Sequence, residues 1–217
     1  MKFKIQKNVY ILKADSQYEL AITFMRLQEF YESSFDDIRG HYFTVEQYMD
    51  RYAGEFGNFT YTSDWNGFNI PGEVAVRFFK EFKGELTKHE EELREILSPA
   101  LGSTKKVRFY IIGVHGDNKD VLEHELGHAM FYLSAGFNAA MTNHLATIHP
   151  FIKKRIFTKL QKMGYGYNVL ADEAQAYLST SSLWYLLKKF KVIPFKAVLA
   201  MRETHRKFKN QRAAVEK

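Results

Sequence analysis

The most chemically specific stretch of the chain is His124-Glu125-Leu126-Gly127-His128, in which two histidines lie four residues apart with a glutamate beside the first. On a helix the two imidazoles project from one side, about 40° apart, close enough to share one metal ion. The pattern is H-E-x-x-H. Zn2+ suits it, because neutral imidazole binds zinc well and the coordination leaves a position for a water that the adjacent carboxylate can deprotonate. His124 and His128 are therefore expected as metal ligands and Glu125 as a general base in a hydrolytic reaction.

A helix must present these side chains, and the local pattern supplies one. Leu122, Leu126, Ala129 and Leu133 form a second stripe, roughly 150° from the histidines, that would face a core. Gly127 inside this helix costs about 1 kcal/mol relative to Ala, which close approach of another element would explain. A β-branched and aromatic run, Val107 to Val114, reads as a strand just before it, joined through Gly116, Asp117 and Asn118.

With these residues in place the chain resembles the zincin metallopeptidases. The metzincin extension would need Gly three residues and His six residues after His128, where Phe131 and Ser134 stand. The gluzincin branch takes its third ligand as a Glu from a later helix, and Asp172-Glu173-Ala174-Gln175-Ala176-Tyr177 is the acidic helical segment available. The resemblance thus implies Glu173 as third ligand. His-Glu-Leu-Gly-His followed by Glu173-x-x-Ala176 is similar to the motif pair of small intracellular metallopeptidases of the ImmA/IrrE type. It covers perhaps 60 residues in two pieces. The chain departs from a thermolysin-like pattern at Tyr177, where an Asp would stand, so Asp172, Asn143 or a backbone carbonyl is left to hold a ligand imidazole.

Some roles stay open on sequence. His144 and His149 compete with Glu173 as third ligand. His144, His149, Tyr165, Tyr167 and Tyr177 are alternatives for a group that stabilises a tetrahedral oxyanion. The stretch Gly164-Tyr165-Gly166-Tyr167 reads as a helix end and turn, or as a mobile wall beside the metal.

Helical signals dominate elsewhere. Ser16-x-x-Glu19, Thr44-x-x-Gln47 and Thr87-x-x-Glu90 open capped helices, and Pro71 sits as a first-turn residue for Gly72 to Phe82. Further helices are expected over Lys119 to Ala135, Asn143 to Met163, Val169 to Thr180, Leu183 to Phe190 and from Phe195 onward. Besides Val107 to Val114, strands are expected over Phe3 to Leu12 and Phe59 to Thr62. The fold class is α+β: a helix-rich zincin-like core with a small sheet over 101–217, preceded by a helical and aromatic-loop region over 1–100. The aromatic stretch Tyr61 to Pro71 reads as a loop or hairpin, with Trp65 as a wall of the metal cleft or as an anchor for the loop.

Composition narrows the function classes. With 46% apolar residues, 19 Phe and only 4 Pro, the 217-residue chain has ample surface to bury a core. Zero cysteines exclude disulfides, thiolate zinc modules and a thiol nucleophile. No G-x-S-x-G elbow or phosphate-binding glycine loop occurs. No apolar run is long enough for a membrane span, so a cytoplasmic monomer acting on a protein or peptide is the expectation. From Phe151 onward 15 Lys/Arg stand against 4 Asp/Glu. Solvated helix faces account for that balance, and nothing in it demands a nucleic-acid partner. The alternatives to a peptidase are a catalytically silent zincin scaffold that binds a partner and a metallohydrolase acting on another bond.

Overall fold

The structure, a computed structural model, describes residues 1–103 and 108–214. The described residues form an α+β fold of eleven helices and one four-stranded mixed sheet. They divide into two compact units, Met1–Leu122 and Glu123–Lys217.

The first unit holds the whole sheet. Strands β1 (Lys2–Gln6) and β2 (Val9–Ala14) form a hairpin in place of the single expected strand. The chain reverses at Lys7, whose φ of 53° is left-handed. Helices α1 (Gln17–Glu32), α2 (Val45–Phe56) and the single turn α3 (Tyr61–Asp64) follow, then β3 (Gly67–Pro71), α4 (Gly72–Glu81), α5 (Lys88–Leu101) and β4 (Tyr110–His115). The sheet order is β1-β2-β4-β3, with β2 and β4 parallel and the other pairs antiparallel. Strand β4 is internal, which explains its unbroken apolar run. Val107, where that strand was expected to begin, lies outside the described residues.

The three sequence-read caps are present. Ser16 accepts from the Glu19 amide at 3.0 Å, and Thr44/Gln47 and Thr87/Glu90 form reciprocal capping boxes. Glu90 does more than cap, because its buried carboxylate also takes the buried Arg26 guanidinium. Phe59 to Thr62 is not a strand. Tyr61 begins a helical turn whose ring is buried against Tyr48 and Phe68, and the strand comes later as β3. Trp65 packs at 6.3 Å from Tyr61, and its carbonyl accepts from Gln17.

The second unit is helical. It takes most of α6 (Lys119–Leu133), then α7 (Ala135–Ala146), α8 (Pro150–Gln161), α9 (Leu170–Thr180), α10 (Leu183–Phe190) and α11 (Phe195–Ala214). Phe137, Met141, Leu160, Leu178, Leu186, Val198 and Met201 form its core. The helix expected over Asn143 to Met163 is two helices, because Pro150 cannot continue α7 and instead occupies the first turn of α8. The expected division near residue 100 also shifts. Residues 101–122 belong to the first unit, since β4 pairs with both β2 and β3, and the unit that carries the histidines contains no strand among its described residues.

No helix among the described residues is long and apolar enough to cross a membrane.

Candidate metal centre

Helix α6 starts where the Asn118 carboxamide accepts from the Val121 amide at 3.2 Å. One and two turns later it presents His124 and His128, whose Nε2 atoms lie 3.3 Å apart. Helix α9 supplies the carboxylate. Glu173 Oε1 is 3.5 Å from His128 Nε2, and Oε2 is 3.9 Å from His124 Nε2. The three residues offer one ligand atom each within 4.8 Å of one another. A tetrahedral ion holding nitrogen at about 2.0 Å sets its ligands about 3.3 Å apart, so the donor set fits a single small divalent ion.

The packing of α6 against α9 brings these groups together. Ala176 approaches Gly127 closely enough that a Cβ added there would sit 3.7 Å from it. His128 and Glu173 are almost fully buried, at 1% and 2% exposure, while His124 is half-buried. His128 Nδ1 faces Asp172 Oδ1 at 2.9 Å, which directs Nε2 toward the ligand group. Asp172 is thus the imidazole partner among the alternatives left open by the sequence.

The surrounding carboxylates favour positive charge at this group. Burial alone would lower the pKa of His128, but the carboxylates of Asp172, Glu173 and Glu125 outweigh it and hold the ring protonated well above the usual range. Burial pushes Glu173 up to about 8, a rise that His128 and a hydrogen bond from Tyr165 oppose and that Asp172 and Glu125 reinforce. His124 moves the other way: burial, then the charges of His128 and Lys189, depress it well below 6.5. Without an ion, a proton on His128 therefore bridges to neutral His124. A divalent cation held there would take the place of that proton among three carboxylates.

Glu125 is buried at 5% exposure, and its charge is felt by His128, Glu173 and Tyr177. Tyr177 lays its ring against His124 at 4.6 Å, and its hydroxyl lies 3.1 Å from that of Tyr165. The other expected residues have separate uses. His144 pairs with Thr204 of α11 at 3.0 Å, and His149 caps α8 by accepting from Phe151. Neither joins the ligand group. Tyr167 is 76% exposed in the turn before α9. Sequence reasoning passed over Lys189, whose ammonium lies 3.3 Å from the Tyr177 hydroxyl. Its only sequence signal is the four-residue spacing from Tyr185 on α10, which does not point to a site.

No family model, no curated protein and no solved structure matches this chain.

Proposed function

We propose that this protein is a zinc-dependent peptidase of the gluzincin type, with His124, His128 and Glu173 as ligands and Glu125 as the general base. The carrying observation is the donor set itself: two imidazole nitrogens 3.3 Å apart, with carboxylate oxygens 3.5 and 3.9 Å from them, beside a second buried carboxylate. A structural site would have no use for that second carboxylate.

When bound, the ion supplies Lewis acidity and a water of lowered pKa. Glu125 takes the proton from the attacking water and passes it to the departing amine nitrogen. Asp172 keeps the His128 proton on Nδ1, so that Nε2 stays available as a lone pair. The phenols of Tyr177 and Tyr165, 3.1 Å apart beside His124, are the candidates to donate to charge that would develop on a scissile carbonyl oxygen. Water activation with a carboxylate that can return the proton would serve an amine leaving group, and the test below includes other acyl compounds. The motif resemblance to the ImmA/IrrE type supports peptide as the substrate class.

The test combines metal content with hydrolysis of a mixed peptide pool. Wild type and Glu125→Gln should each bind one zinc per chain, and His124→Ala none. Only wild type should cleave peptides. Turnover retained in Glu125→Gln, or a wild type that binds no metal, would sink the reading. Stoichiometric zinc without cleavage of peptides or other acyl compounds would favour the silent scaffold.

A further inference from the structure

Helix α10 is apolar on two sides. Leu186 and Phe190 are buried in the core of the second unit, while Trp184 and Leu187 point outward and are 69% and 52% exposed. Steps of three and four residues place Trp184, Leu187 and Lys188 on one face, and Lys191 continues it at the helix end. Both lysines are exposed with the apolar side chains, and the Lys188 ammonium sits 5.0 Å from the centre of the Trp184 ring. Four residues after Lys191, α11 opens on exposed Phe195 and Lys196.

Charge narrows what can cover this face. Between Glu173 and Glu203 the chain has no acidic residue and five cations, Lys188, Lys189, Lys191, Lys196 and Arg202. The complementary surface is therefore anionic. A protein partner would need a contiguous apolar centre depleted of charge, whereas here lysines are interleaved with the exposed apolar side chains. A nucleic acid would engage the lysines through phosphate and leave Leu187 in water. A bilayer surface suits both kinds of side chain at once. Trp and Leu enter the boundary between headgroups and acyl chains, and lysines keep their ammonium groups level with the headgroups on long apolar stems.

We propose that the outward face of α10, formed by Trp184, Leu187, Lys188 and Lys191, docks the second unit reversibly on an anionic phospholipid surface. Trp184 and Leu187 supply the apolar insertion, and Lys188 and Lys191 supply the attraction to anionic headgroups. No part of this attachment depends on the metal centre.

The experiment uses the full chain with vesicles of phosphatidylcholine alone or of equimolar phosphatidylcholine and phosphatidylserine. Sedimentation measures binding, and indole emission reports whether Trp184 leaves water. Wild type should bind the anionic vesicles about 10-fold more tightly than the neutral ones, with a blue-shifted emission and weaker binding at high salt. The Lys188→Gln/Lys191→Gln double variant should weaken anionic binding about 30-fold. Trp184→Ser should weaken it about 10-fold and remove the emission shift, since the other tryptophan, Trp65, packs against Tyr61. His124→Ala should bind vesicles as wild type does, which separates this proposal from the metal reading. A wild type that stays in the supernatant, or binding that Trp184→Ser and the lysine double variant leave unchanged, would overturn the proposal. Binding to duplex DNA or polyglutamate but not to vesicles, lost in the lysine double variant, would assign the face to another polyanion and overturn it equally. If Trp184→Ser does not fold, the lysine double variant decides alone.

Discussion

Asp172 Oδ1 lies 2.9 Å from His128 Nδ1, so the residue immediately before the expected third ligand orients the second one. On the proposed reading, one turn of α9 would serve the metal group twice. Glu173 would offer oxygen to the ion and Asp172 would fix the tautomer of the facing imidazole. Asp172→Asn should keep the fold yet weaken zinc binding by about 10 to 100-fold, because an amide lets the ring rotate and lowers its basicity. Isothermal titration with zinc tests this, and an unchanged dissociation constant would reduce Asp172 to a surface acid.

Metal uptake should depend on pH in a definite direction. His128 is held protonated and Glu173 rises to about 8, so protons compete with the ion for both ligands. A raised pKa means the proton wins below it. Apparent zinc affinity should therefore climb as pH rises from 6 through about 8, with protons released to the buffer on binding. Calorimetry in buffers of different ionisation enthalpy counts those protons. Zero release at pH 7 would contradict the protonated resting state.

The helix that carries His124 and His128 was legible because its information is local: histidine spacing, a flanking glutamate and an apolar stripe all lie within one element. The caps at Ser16, Thr44 and Thr87 were legible for the same reason. Sheet order was not, since nothing near Val9 says that it pairs with Tyr110 across five helices and a strand. Tyr61 misled the strand reading because aromatic content signals burial as readily as extension, and here the ring is buried from a helical turn. Lys189 could not be found at all. Its contact with Tyr177 is made between α10 and α9, with no pattern along the chain to announce it.

Two glycines separate close approach from helix or strand cost. A Cβ at Gly127 would stand 3.7 Å from Ala176, ordinary contact, so Gly127→Ala should stabilise the protein by about 1 kcal/mol through helix propensity. At Gly113 the added carbon would lie 2.4 Å from Phe24 Cε2 and 2.9 Å from Leu20 Cδ1. There α1 rests directly on β4, and Gly113→Ala should cost about 1–3 kcal/mol by overpacking. Urea unfolding midpoints of the two variants should move in opposite directions. A destabilised Gly127→Ala would mean that α6 and α9 lie closer than the structure places them.

The last prediction concerns a buried acid in the first unit. Glu29 on α1 accepts from the Tyr61 hydroxyl at 2.8 Å, and burial raises its pKa, opposed by hydrogen bonds from Ser33, Tyr61 and Tyr48. The unfolded chain releases this proton near the ordinary value of about 4.3, while the folded protein keeps it to higher pH. The folded state then binds more protons than the unfolded one. Stability from this group is complete below about 4.3 and falls as pH rises through the raised folded value. Glu29→Gln preserves an acceptor for Tyr61 and carries no ionisable group. The stability difference between wild type and Glu29→Gln should therefore shift with pH, wild type losing about 1.4 kcal/mol for each unit by which its folded pKa is raised. Urea unfolding from pH 4 to 8 measures it, and the shared titration of the metal centre cancels in the difference. Parallel curves across that range would show that Glu29 is ionised in the folded protein at its ordinary pKa, with its hydrogen bonds fully offsetting burial.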